Sequence, residues 1–329
     1  MLKFVKKPFL LYIFVLIGAL NACVNRTLDR AEADRSMKVL NSDIINLLSN
    51  GSEKPEIKAL QFLINQVSAP LPYIKKGKLS DMDTIPYRFD NHCGIYQWND
   101  SLSVFEKNSD TTNIVLFFPF DEESGTNGKL IISAFESEQY SSRPEFPTLI
   151  RATMFKDDQP VLTVNHSGKL SDEIPETIQS RIEGEDYLAV LSFDRSKNEQ
   201  KGDLNLDLSL NVKNYPVVAM KGYATIEYGR KSYFFKFINF ELNIFNHRIE
   251  GIIDYASIDP TSHDYTNSFN KHSKLEIFEM PLKKKVGDIV LGKTDHGELL
   301  DYFVRFSNGD QILLSEYIPL IKKILNMKY

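Results

Sequence analysis

Cysteine is scarce in this chain. Cys23 and Cys93 are the only two, so at most one disulfide can form and a fold stapled by several bridges is excluded. There is no G-x-S-x-G elbow, no H-E-x-x-H, no C-x-x-C and no calcium loop of alternating Asp/Asn with its glycine. The chemistries that rest on those local motifs therefore have no support here. Positive charge is not in excess either: 39 Lys+Arg stand against 44 Asp+Glu, whereas nucleic-acid phosphates demand a basic surface. The first apolar run, Phe9 to Leu20, falls short of the roughly 20 residues that a membrane-spanning helix needs. What is present is core-forming material. Hydrophobic residues make up 42% of the chain and aromatics 12%, more than a disordered protein carries.

The N-terminus has the parts of an export signal. Met1 to Lys7 holds Lys3, Lys6 and Lys7 and no acid, and an uncharged run and small residues follow. The next residues, Leu20-Asn21-Ala22-Cys23, resemble the lipobox of bacterial lipoproteins. That family prefers Leu, then Ala or Ser, then Gly or Ala, then Cys. Leu20, Ala22 and Cys23 match, and Asn21 departs at the most permissive place. The resemblance covers the first 23 residues. It implies removal of residues 1–22, a diacylglycerol on the Cys23 thiol, and a lipid-anchored protein of the bacterial cell envelope, on the outer membrane facing the periplasm. Each buried CH₂ contributes about 0.8 kcal/mol, so two or three acyl chains make a lasting anchor. The mature chain would keep 307 residues, with 36 Lys+Arg against 44 acids. Length then allows one large or two modest domains. With Cys23 lipidated, Cys93 has no partner. It is expected as a buried structural thiol. His92 and Cys93 make a poor dyad, because neighbours on a strand point to opposite faces.

Periodicity gives the architecture. After a short tether, Val24 to Leu28, helical spacing runs from Asp29 to Leu48 through Met37, Leu40, Ile44 and Leu47, and Asn50-Gly51 is expected to stop it. Ser52 can cap a second helix with Pro55 in its first turn and Leu60, Phe62, Leu63 and Val67 along it, ended by Ala69-Pro70-Leu71-Pro72. From about Ile85 the period becomes two. Hairpins are expected around Asn99-Asp100 and Asn308-Gly309, and the run Leu204, Leu206, Leu208, Leu210, Val212 predicts a long strand with one dry and one wet face. Ile150-Ala152-Met154, Asp157-Asp158 and Pro160 to Val164 can be laid on Leu206-Leu208-Leu210, Lys213-Asn214 and Pro216 to Met220, an offset of 56 residues that suggests an internal repeat. An amphipathic helix is expected over Ser315 to Met327. The fold class is α+β, mostly β: an N-terminal helical hairpin, a large mainly antiparallel sheet able to curl into a half-barrel, and a C-terminal amphipathic helix. The divisions are 1–22 signal, 23–80 tether and helices, and 81–329 β-rich domain.

Three stretches tempt a functional assignment. Gly287 to Thr294 fits the phosphate loop G-x-x-x-x-G-K-T. Its interior Ile289-Val290-Leu291 is strand-like, however, and Gly297 falls where the required helix should be, so a strand and turn are expected and no nucleotide. His263-Asp264 and His272 share a polar stretch, 259–272, expected as a solvated loop, although it could build an acid–base or metal site. Glu183-Gly184-Glu185-Asp186 and Glu122-Glu123 read as solvated acidic turns. No catalytic residue, metal ligand or cofactor is assigned. The expected function is a non-catalytic lipoprotein anchored through Cys23 that binds an apolar ligand or an envelope protein, and neither nucleic acid nor nucleotide. The alternatives are an exported hydrolase with its site near 259–272, and an accessory subunit of an outer-membrane complex.

Overall fold

Extended segments dominate, because β-branched and aromatic residues alternate with polar ones between two-residue turns. The structure, a computed structural model, describes residues 27–71, 87–120, 127–138, 146–172, 174–198, 200–229, 233–294 and 300–318. Five helices are seen among them: α1 Arg30–Ser52, α2 Pro55–Asn65, α3 Phe89–His92, α4 Tyr265–Lys271 and α5 Leu314–Tyr317. The strands are β1 Gly94–Asn99, β2 Val104–Ser109, β3 Ile114–Pro119, β4 Asn127–Glu138, β5 Phe146–Lys156, β6 Gln159–Ser171, β7 Ile174–Gly184 and β8 Tyr187–Asn198. They continue as β9 Lys201–Val212, β10 Tyr215–Tyr228, β11 Tyr233–Ile244, β12 His247–Ile253, β13 Ser273–Glu279, β14 Lys284–Lys293, β15 Leu300–Arg305 and β16 Gln311–Leu313. Hydrogen-bonded neighbours follow chain order from β16 down to β3, after which come β1 and β2. The sheet is mixed: β1 runs parallel to β3, while its pairing with β2, like that of β3 with β4, is antiparallel. The α+β, mostly β class is what the chain adopts.

Two compact units divide the chain, one of residues up to Ile44 and from Ala224 onward, the other Ile45–Tyr223. In the second unit, Ile114, Leu116 and Phe118 alternate along β3 and are all buried, as are Leu130 and Ile132 of β4, Met154 of β5 and Leu162 of β6. Ala59 and Leu63, one turn apart on α2, close over them. The start of α2 is fixed by Pro55 at its first turn and by an ion pair from Lys54 to Asp186.

In the first unit, Ala33, Met37 and Leu40 of α1 join Ile249 and Ile253 of β12, Leu275 and Ile277 of β13, Val286, Ile289 and Leu291 of β14 and Val304 of β15. The Tyr317 hydroxyl donates to Asp34 at 2.8 Å. Lys38, then that phenol, hold the Asp34 carboxyl down at about 2. The end of the expected tether is not free: Leu28 is buried in this core, its amide donates to the Lys285 carbonyl at 2.9 Å, and Thr27 bridges Lys285 in parallel.

Several expectations need correction. α1 runs through Asn50-Gly51 to Ser52; a helical glycine costs only about 1 kcal/mol, and nothing crowds Gly51. Ser52 does not cap α2. Its hydroxyl donates back to the Ser49 carbonyl, and Lys54 takes the cap position without a side-chain capping bond. The 259–272 stretch contains α4, which buries Phe269. α5 ends at Tyr317, with Ile318 as its cap, and the rest of the expected C-terminal helix lies outside the described residues. Strands β7, β8 and β13 were not anticipated. The dry face of β9 is only partly dry: Leu204 is buried, while Leu206, Leu208 and Leu210 are half-buried.

Candidate functional site

The apolar core under α2 continues along the sheet after its cover ends. Leu130 and Ile132 of β4 face Met154 and Ala152 of β5, which face Leu162 and Val164 of β6. Val164 pairs with Ile182 of β7, and Gly168 with Ile178. Ile178 and Ile182 face Phe193 and Ala189 of β8, with Leu191 between them opposite Ser180. Phe193, Leu191, Ala189 and Tyr187 face Leu206, Leu208, Leu210 and Val212 of β9. Side chains directly opposite in paired strands share a face, so one apolar row crosses from β4 to β9. Its character changes on the way. Met154 and Leu162 are 1% and 4% exposed, whereas Ile182 is 38% exposed and Leu191, Phe193, Leu206, Leu208 and Leu210 are half-buried. Of the described residues of β7 and β8 on this row, Tyr187 alone packs against a buried core cluster, and it is itself only partly buried.

Two polar anchors bound the open part. Near the β7–β8 turn, the Tyr187 ring lies over Gly184, where a Cβ would come within 2.5 Å of it. The Tyr187 hydroxyl is buried with no hydrogen-bond partner among the described residues, and burial, with Glu56 second, pushes its pKa up to about 12. At the other end Arg195, 4% exposed, donates to the carbonyls of Pro175, Ser171 and Ile174 and so closes the β6–β7 turn. His166 lies on the same face. Its Nε2–H donates to the Pro147 carbonyl at 2.9 Å, leaving Nδ1 to accept from the Ser180 hydroxyl at 2.7 Å. Both nitrogens are occupied, which fits a structural imidazole better than a base.

The reverse face is polar. Arg151, Asn165 and Arg181 stand in one cross-strand row, with Ser167 and Gln179 in the next. With Leu149 and Val190 they line a shallow depression of about 390 Å³. Arg181 is engaged by Glu183 at 2.9 Å. The central strands thus separate an apolar face from a hydrophilic one, and among the described residues no helix closes over Leu191, Phe193, Leu206 or Leu208 as α2 does over β3 to β6.

The residues singled out in the sequence do not converge. Cys23 and Glu122-Glu123 lie outside the described residues. Cys93 is buried, its thiol directed at the Phe89 and Thr112 carbonyls, and burial raises its pKa. His92 ends α3 and Cys93 follows as its cap, so the pair is not on a strand as the reading supposed; His92 instead stacks on Tyr87 with ring centroids 4.6 Å apart. Gly287 to Lys293 form part of β14, hydrogen-bonded to β13 and β15, with no loop to hold a phosphate. Asp264 accepts from the Asn267 amide as the cap of α4, and Asn270 holds the Leu291 backbone from both sides, so this segment is tied to structure. Glu183 and Gly184 belong to β7, and Asp186 is the partner of Lys54. Among the described residues no cluster of His, Cys, Asp and Glu could hold a metal, and no helix is long and apolar enough to cross a membrane. The chain matches no protein-family model, no curated protein and no solved structure.

Proposed function

We propose that this is a lipid-anchored envelope protein, held to the membrane through Cys23, whose β7–β9 face binds an apolar ligand without chemical turnover. The observation that supports the binding role is the row Ile182, Leu191, Leu208 and its neighbours, apolar and half-exposed where its continuation under α2 is sealed. An acyl chain laid across such a row would remove the remaining apolar surface from water at roughly 25 cal/mol per Å². The lipobox resemblance supports the anchor and the envelope location, on the outer membrane facing the periplasm. A hydrolase near 259–272 has less support, since Asp264 and Asn270 there are committed to backbone groups.

Purification of a Cys23→Ser chain from cells, followed by solvent extraction and mass spectrometry, tests the reading. A co-purifying lipid in stoichiometric amount is expected. A protein free of lipid, which also fails to bind a fluorescent fatty-acid analogue, would remove the proposal and favour an envelope protein as the partner.

A further inference from the structure

Thr27 is the first described residue and is fixed against β14. Three residues lie between it and Cys23, and the four residue steps span at most about 14 Å. A lipid on Cys23 therefore leaves this part of the first unit little room to stand off from the bilayer. The Thr27–Lys285 bridge is parallel, so the N-terminal side of Thr27 points the same way as the N-terminal side of Lys285. That direction leads to the β13–β14 turn, Met280 to Lys283.

The turn has the surface a bilayer would meet. Leu282 is 60% exposed and Pro281 beside it is exposed as well. Three lysines follow. Lys283 reaches Glu250 at 2.8 Å and lies over the Phe278 ring, and Lys285 is paired with Glu276 and Asp288. Lys284 makes no ion pair among the described residues, although Glu279 is its cross-strand neighbour. An exposed leucine flanked by lysines suits the boundary between headgroups and acyl chains, where the apolar side chain enters and the ammonium stays at the surface.

We infer that the Met280–Lys283 turn rests on the bilayer that carries the anchor, with Leu282 among the lipid headgroups and Lys284 facing anionic lipid. This rests on the reading of Cys23 as the lipid-bearing residue. It adds an orientation: the β13–β14 turn is the membrane side of the first unit, and the opposite end of β12, near Ala256, points away.

The test uses the full processed protein, reconstituted in vesicles of three parts phosphatidylethanolamine to one part phosphatidylglycerol. Mass spectrometry of the N-terminal peptide reports the acyl chains, and an environment-sensitive dye on Leu282→Cys or Ala256→Cys reports depth through quenching by spin-labelled lipid. Cys93→Ser is placed in both backgrounds so that the dye sits at one position. An acylated Cys23 with quenching at least threefold greater at 282 than at 256 is expected, reduced by Lys284→Glu. An acylated protein with equal quenching at both sites, or more at 256, overturns the orientation and leaves the anchor standing. An N-terminal peptide without acyl chains overturns both.

Discussion

Two hairpins of this protein turn in the same way and end in different surroundings. Between β5 and β6 the turn residues Asp157 and Asp158 have φ of 48° and 61°; between β9 and β10, Lys213 and Asn214 have 49° and 65°. Both are two-residue turns with positive φ at each central position, the kind that matches strand twist. Met154 and Leu210 lie at equivalent places, 56 residues apart. Met154 is 1% exposed beneath α2, and Leu210 is half-buried and belongs to no buried core cluster among the described residues. Local chemistry decides the hairpin. Whether its apolar face becomes core is decided by the presence of a second layer.

That contrast can be broken by mutation. Truncation of a sealed core side chain costs about 2–5 kcal/mol, so Met154→Ala should lower the urea midpoint strongly. The covered face of the first unit offers a pH version of the same test. His247 is 2% exposed, bonded to the Ser36 hydroxyl at 2.8 Å, and burial lowers its pKa, opposed by Glu279 and Asp43. A lowered histidine means the unfolded chain binds the proton that the native state refuses. Stability should therefore rise with pH from the depressed native value up to the ordinary value of about 6.5, and fall on acidification through that window. Urea midpoints at pH 5 and pH 7.5 should show this slope, and His247→Gln should flatten it. Leu210→Ala should cost under about 1 kcal/mol, because truncation there opens no sealed cavity. Smallest of all, Lys293→Ala at the exposed end of β14 should stay within about 0.5 kcal/mol, and equilibrium dialysis should detect no ATP retained by either form. Equal midpoint losses for Met154→Ala and Leu210→Ala would mean the β9 face is sealed after all.

Much of the sheet was legible from residues. Asn308-Gly309 marked a real hairpin, with Gly309 at φ 91°, and the alternation from Leu204 to Val212 predicted a strand correctly. Other elements had signals that competed. In β7 the apolar residues Ile178 and Ile182 are four apart with polar residues between them, a spacing closer to a helix than to a strand. β13 did alternate, through Leu275 and Ile277, and could have been found from that pattern. α4 was marked by Asp264 at a cap position, hidden in a polar segment. The exposure of the candidate face was not legible. Alternation says which side chains share a face, but the full burial of Met154 and the partial burial of Leu210 are tertiary facts.

The central claim is that the β7–β9 face is open apolar surface available to a ligand. Leu191 and Leu208 are cross-strand partners in the middle of it. Titration of a dansylated fatty acid into the wild-type protein and into Leu191→Glu/Leu208→Glu tests this most directly, with urea midpoints measured on both. Saturable binding that weakens at least tenfold in the variant, with its midpoint nearly unchanged, is the predicted result. Binding that survives the two charges, or a midpoint that collapses as far as that of Met154→Ala, would contradict it.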